Sequence, residues 1–520
     1  ANHQPFWRRF YLDIALAVIC VLAYVDLSLF GGLSARTELG QTASSPVLFA
    51  APALLLLAGG LLVLRAFPVA AGLGARLAAR ARGAVGMLAF SQVSRSATGP
   101  MRLALLLALG VGLGLFALTF TTSLTHNGGD RAAYQVGADF RVVVAQTLAG
   151  GDATRAQGEL AALPGAPGVT PVFRGSAQVT LNQGGLPVAV LAVDPSTWPQ
   201  VAGATSWRAD YASASLSSLM TTLQARQWPA GTAGQTTATG ISSLGGADHP
   251  VAALVTAAFA ATQHLQQGQT FQLALASAAA DQTVFVVAGI IQDFPTYYPG
   301  QTPGGLIVVG ISDLAGIRGS PPFGPNEFWL RAPADPAQRT AFTAALARLT
   351  PNLSAIATVD RQQLRTAITD SPLQTGMRGL LAAGVVLAVA LALLGSIVQA
   401  ALSARKRAVQ FAVLRSLGMR TRQLSRLLLG EQAVVYLFGL VGGTLLGAVL
   451  ATATLPYLQF NDAALDATTV GVPADRLFVD PLNIAIFYAA LLVAFLIGLV
   501  VTSRAAARIG LGKTLRLGED

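Results

Sequence analysis

Across 520 residues the chain has one cysteine, two lysines and four histidines, and only 11% of its residues are charged. Each scarcity closes off a class of chemistry. Cys20 sits inside an apolar run and has no second cysteine to pair with, so no disulfide framework forms within the chain. His3, His126, His249 and His264 are scattered without metal-ligand spacing. No Ser/His/Asp set and no paired carboxylates stand out, so the chain reads as a non-enzyme with no catalytic, cofactor or metal residues. Gly510-Leu-Gly-Lys513-Thr514 ends like a phosphate-binding loop, but Ala507 stands where its first glycine belongs. A hydrophobic segment precedes it instead of a strand, so this stretch reads as a basic tail. The net charge of +10 comes almost entirely from arginine, with Lys406 and Lys513 the only lysines. The arginines flank hydrophobic runs and are not interleaved with aromatics, which argues against nucleic acid as a partner.

What the chain has in excess is apolar length. The hydrophobic fraction is 53% and the mean hydropathy +0.57, far above a soluble average. Six runs reach the roughly 20 residues a crossing requires: Ile14–Phe30, Val47–Leu64, Leu103–Ser123, Leu380–Leu402, Val434–Leu455 and Leu482–Val501. Arginine placement orients them. Residues 65–102, 405–431 and the tail are basic and fall inside, whereas 456–480 carries Asp462, Asp466, Asp475 and Asp480 and falls outside. Both ends of the chain are then cytoplasmic, and Ala1 opens without a signal-peptide layout. Asp26, in the first run, lies toward its outer end and is expected to snorkel.

The resulting fold class is an α-helical integral membrane protein of six transmembrane helices with one large extracytoplasmic α/β domain. Along the chain these are two additional helices (1–64), a cytoplasmic basic amphipathic segment (65–102) and a first core helix (103–123). The α/β domain (124–376) and a helix (377–402) follow, then a cytoplasmic loop (403–431) and a helix (432–455). An external loop (456–480), a last helix (481–503) and a cytoplasmic tail (504–520) complete the order. The 65–102 segment suits anionic lipid, with a cytosolic protein contact as the other reading. In the α/β domain, strands are expected at Phe140–Val144, Gln178–Leu181, Val188–Val193, Thr283–Val287 and Leu306–Val309, and helices at 155–163, 251–265 and 336–348. The Ser/Thr/Gly/Ala-rich stretch 203–247 is expected to be partly mobile.

Two patterns stand out. Gly439, Gly443 and Gly447 recur every four residues, as do Gly110 and Gly114, making small-residue faces for close helix packing. Close packing with a second permease half or protomer is the expected role of these faces, with a substrate pore as the other reading. The other pattern is RKRAVQFAVLRSLGMRTRQLSRLLLGE at 405–431, with seven basic groups against Glu431. Val409, Phe411, Val413, Leu414 and Leu417 make its first part amphipathic, and Gly418 ends it as a C-cap would.

FAVLRSLGMRTRQL followed by LLLGEQ resembles the signature of the FtsX-like ABC-transporter permeases, the MacB-like family. LAFSQVSRSATGPMRLALLLALGVGLG, VVAGIIQDFPTYYPG, NEFWLRA and the tail SRAAARIGLGKTLRLGED resemble further pieces of it. The resemblance implies a type VII ABC-transporter-like architecture in a bacterial plasma membrane. It makes 405–417 a coupling helix, with Arg407, Gln410, Phe411, Val413, Leu414, Arg415, Leu417 and Gly418 facing a cytosolic ABC ATPase dimer. ATP and magnesium would sit on that partner. The family often has glutamate where Gln410 stands. The two leading helices resemble the pair before the second copy in ten-span members, so the chain looks like the C-terminal half of a duplicated permease. Two functions fit: export or extraction of a lipid, lipoprotein or amphipathic peptide or drug at the outer leaflet, or mechanotransmission to an external protein partner such as a cell-wall hydrolase. A receptor working without an ATPase is a weaker third.

Overall fold

The computed structural model describes residues 46–80, 98–148, 150–165, 168–181, 184–225, 236–237, 240–241, 245–246, 249–275, 282–302, 304–317, 323–406, 421–455 and 472–508, with isolated positions between 15 and 25. In chain order the elements are α1 (Pro46–Arg80), α2 (Thr98–Val136), β1 (Phe140–Val144), α3 (Gly150–Ala161), β2 (Val169–Leu181), β3 (Gly184–Val193), α4 (Leu216–Ala225), β4 (Val251–Thr256), α5 (Ala257–Thr262), β5 (Thr270–Leu275), β6 (Gln282–Ile291), β7 (Leu306–Gly310), α6 (Ile311–Ala315), β8 (Glu327–Leu330), α7 (Pro336–Leu349), β9 (Ala355–Asp360), α8 (Arg361–Thr369), α9 (Pro372–Lys406), α10 (Thr421–Thr454) and α11 (Pro481–Arg508). They fall into two units, one of residues 1–126, 372–460 and 475–520, the other of 127–371 with 461–474.

The first unit is helical because uninterrupted apolar sequence can satisfy its backbone only within itself once water is excluded. Five of its helices are long and apolar enough to cross a membrane, in windows Ala53–Arg76, Pro100–Val136, Gln374–Gly395, Gly430–Thr454 and Pro481–Gly498. The sixth expected run, at 14–30, lies largely outside the described residues. Helix α1 does not break at Leu64 but continues through Arg65 to Arg80. Helix α2 is the centre of the unit, with 72% of its apolar window buried against 0% for α9 and 6% for α11. Phe67 and Ala71 of α1 meet Leu103, Ala104 and Leu107 of α2 and Val435 of α10. Farther along, Phe116 and Phe120 of α2 pack on Leu450 and Ala451 of α10. Leu380, Val386 and Leu387 of α9, with Leu482, Ile486 and Ile497 of α11, turn outward. Lipid tolerates such a surface where water would not. A cavity of about 20 Å³, room for about one water, is lined by Leu107, Gly110, Val389, Tyr436, Leu491 and Phe495 and is apolar.

The second unit is built on one nine-stranded sheet, ordered β9-β1-β8-β2-β3-β7-β4-β6-β5, whose last strand pairs back onto β2. Ala177 faces Leu275 and Gln178 faces Ala274 across that seam. Six strands therefore close into a barrel, and β9, β1 and β8 extend from it. The thirteen-residue β2 serves both parts, its first residues pairing with β8 and its later ones with β5. Alternate side chains take opposite faces. Val190, Ala253, Phe285, Val287 and Ile307 fill the barrel, while Leu191, Leu254, Ala288 and Val308 point out under Trp198, Met220 and Leu223. On the extension, Phe140, Val142 and Phe328 pack beneath Leu160 of α3 and Phe342 of α7.

Two expectations change here. Residues 251–256 form a strand, and only 257–262 are helical. All six strand residues are buried, so the run shows no alternation, and a doubly covered strand cannot be told from a buried helix by period alone. Within 203–247, α4 is no loose segment: Leu219, Met220 and Leu223 are core residues.

Candidate functional site: a polar knot at the end of helix α2

Helix α2 stops at Gly137, whose amide donates to the Ala133 carbonyl at 2.8 Å and whose φ of 85° suits only glycine. A Cβ there would lie 2.7 Å from the Trp329 ring. One turn earlier the Tyr134 hydroxyl donates to the Tyr297 carbonyl, and the Thr296 amide donates back to the Tyr134 carbonyl at 2.8 Å. Thr296 holds φ 70°, a strained value for a β-branched residue. The segments Asp293–Tyr298 and Asn326–Arg331, far apart in sequence, meet around this helix end.

A buried carboxylate binds them together. Glu327 is 4% exposed. Its Oε1 accepts from Arg174 Nε at 2.7 Å and its Oε2 from Trp329 Nε1 at 2.9 Å. Arg174 also donates to the Thr296 hydroxyl. Asn326 brackets the Arg174 backbone, accepting from its amide and donating to its carbonyl, both at 2.8 Å. Burial opposes ionisation of Glu327, yet the Arg174 and Arg141 charges and the two hydrogen bonds hold its carboxyl below the usual range. Burial pulls Arg141 below the usual arginine range, partly offset by Glu327. Burial also drives the Tyr134 and Tyr211 hydroxyls well up.

The chain passages in and out of this unit converge on the same region. Arg208 Nη1 meets Asp130 of α2 at 3.1 Å and Arg208 Nη2 meets Asp210 at 2.7 Å. That Nη2 also donates to the Ala474 carbonyl at 2.9 Å, so part of the expected external loop 456–480 belongs to this unit. Val472 packs on the cluster of Tyr134, Tyr211 and Tyr298. The returning chain is pinned by Arg361, whose Nη2 lies 2.6 Å from Asp139 Oδ1 and whose amide donates to the Asp139 carbonyl. Gly128 of α2 admits Thr369 of α8, 2.9 Å from where a Cβ would be.

The glycine faces lie in the helical unit. Cβ atoms on Gly439, Gly443 and Gly447 of α10 would meet Leu107, Val111 and the Gly112 carbonyl of α2 at 2.7, 2.6 and 2.8 Å. Gly114 faces the Phe487 ring of α11, and Gly110 faces Ala388 of α9. These seams join helices of one chain, and α2 fills the groove that the absent side chains leave along α10. Arg407, Gln410, Phe411, Val413, Leu414, Arg415, Leu417 and Gly418 lie outside the described residues.

Residues 380–510 match the family model of the FtsX-like permease C-terminal domain. That stretch is similar to the C-terminal domain of FtsX-like permeases. Comparison with curated proteins gives no match. Among solved structures, the periplasmic region of MacB from Actinobacillus actinomycetemcomitans aligns with 6% identity and a TM-score of 0.27, over 45% of this chain and 95% of that one. The FtsX-like part holds α10, α11, nearly all of α9 and the basic stretch between α9 and α10. With its apolar helices it makes this a multi-pass membrane protein.

The sequence offers VVAGIIQDFPTYYPG and NEFWLRA only as stretches resembling pieces of a family's external domain, and assigns no site there. Sequence reading missed Arg141, Arg174 and Arg208. Single arginines on strands and loops carry no spacing signal, and only sheet register brings them together.

Proposed function

We propose that the chain is the permease subunit of an ABC transporter. A separate cytosolic ATPase dimer binds and hydrolyses ATP with magnesium. Its closure pushes the 405–417 segment, and the helices carry that displacement to the α/β domain, which exports or extracts a lipid, lipoprotein or amphipathic peptide or drug at the outer leaflet. The match at 380–510 carries this reading, because it spans the basic stretch that would take up the push. The same match bears on a second reading, mechanotransmission to an external protein partner without cargo.

Co-reconstitution of the chain with its ATPase in vesicles separates the two. Stimulation of ATP turnover by added lipid or amphipathic peptide is the expected result. A stable external complex with a hydrolase, and no stimulation, would transfer the assignment to mechanotransmission. ATP turnover by the chain alone would overturn the division of labour.

A further inference from the structure

On one face of the sheet two guanidinium groups, Arg141 and Arg174, act on a single carboxylate, Glu327. Register places Arg141 of β1 opposite Trp329 of β8, and Glu327 opposite Val143 and Val172. Arg141, Glu327 and Trp329 therefore share one face of the sheet, and alternation along β2 puts Arg174 there with Val172. The opposite face is the apolar layer of Phe140, Val142 and Phe328. Both Glu327 oxygens are occupied, by Arg174 and Trp329. Arg141 lies within electrostatic reach of Glu327, Arg174 and Tyr298, and its Nε is buried without a hydrogen-bond acceptor among the described residues. A guanidinium keeps its charge at any working pH, and a buried donor left without an acceptor is costly. The cluster is not sealed, since the Arg174 side chain is 32% exposed. Burial raises the Tyr298 hydroxyl to about 12, so it stays a neutral donor beside the two arginines.

We propose that Arg141, Arg174 and Tyr298 form a binding site for a phosphate-type oxyanion, with Glu327 orienting Arg174 and the oxyanion supplying an acceptor to Arg141 Nε. Guanidinium forks suit such a group because they donate two parallel N–H bonds to its oxygens. Two sources share this chemistry, free phosphate and the headgroup of an anionic phospholipid. The inference rests on the α/β unit alone and does not depend on the permease reading.

The test is thermal unfolding of the full chain in detergent. One arm titrates inorganic phosphate against sodium chloride at matched ionic strength. The other adds short-chain phosphatidylglycerol against the same amount of an uncharged glycolipid. A specific site makes the midpoint climb with the logarithm of concentration; at ten times Kd the folded-to-unfolded ratio rises about elevenfold. A shift in both arms identifies the free anion as sufficient, and a shift with phosphatidylglycerol alone identifies the headgroup. Arg141→Met should remove the shift, and Tyr298→Phe should reduce it. Should Arg141→Met fail to fold, Arg141→Lys decides: it keeps the charge, loses the fork and should weaken binding about tenfold. No shift in either arm, or a shift that survives the Arg141 variant undiminished, overturns the proposal.

Discussion

Replacing Gly443 with alanine tests whether the small-residue face of α10 serves this chain or a neighbour. The added Cβ would lie 2.6 Å from Val111 Cβ and 2.7 Å from the Ala108 carbonyl oxygen. Ordinary contacts between such atoms are about 3.5–4 Å, so α10 and α2 must separate by about 1 Å. Neither obstacle is a flexible side-chain tip, and the move opens the seam at Gly439 and Gly447 as well. Overpacking of this kind costs about 1–3 kcal/mol, against about 1 kcal/mol gained from alanine's helix propensity. The net loss is on the order of 1 kcal/mol for one site. It grows less than additively for the triple variant, because one displacement relieves all three clashes. Gly72→Ala and Gly379→Ala are the controls, since the methyl group each gains would have no atom within 4 Å; they should be neutral or slightly stabilising. Thermal unfolding of the purified chain in detergent reads the difference, and size-exclusion chromatography reads association. If Gly443→Ala unfolds like the controls but loses a partner, the groove belongs to another subunit and the reasoning fails.

Arg174→Met should destabilise by about 2 kcal/mol, less than for a fully buried pair because Arg174 is a third exposed and Arg141 remains near Glu327; adding Glu327→Gln should recover part of the loss in denaturant titrations. Acid unfolding gives an independent check. The depressed Glu327 carboxyl contributes stability that is present above its unfolded value, about 4.3, and lost as pH falls through its folded value, so Glu327→Gln should flatten that limb. Asp293 runs the other way: burial, then Asp210, raise its carboxyl, so its contribution is full below about 3.9 and lost as pH rises through the folded value. Asp293→Asn should therefore stabilise the protein at neutral pH, read as melting temperature against pH. For the proposed coupling segment, Arg415→Glu together with Leu417→Glu should abolish co-purification of the proposed ATPase, and retained pairing would refute the coupling role.

The spans were legible because apolar length is a one-dimensional property, and five of the expected runs coincide with helices that could cross a membrane. Strands β1 and β7 were legible because they are short apolar runs between turn residues. Strand β4 was not, since burial on both faces removes the alternation that distinguishes a strand. The closure of the sheet through β5 and β2 was not either, because it depends on a register between residues about a hundred positions apart. The glycine repeat announced a close helix contact, but which helix fills it is decided in three dimensions.

By itself the sequence determined that this is a membrane-spanning chain with an α/β insertion and a basic stretch at 405–431, because hydropathy, charge bias and local motifs act within a few turns of their own position. Only the tertiary structure decided that α2 is the central helix, that its end is held by Tyr134, Gly137 and Trp329, and that Arg141, Arg174 and Glu327 share one sheet face. Those are pairings of distant residues, and their energy lies in burial, register and charge compensation that no local window contains.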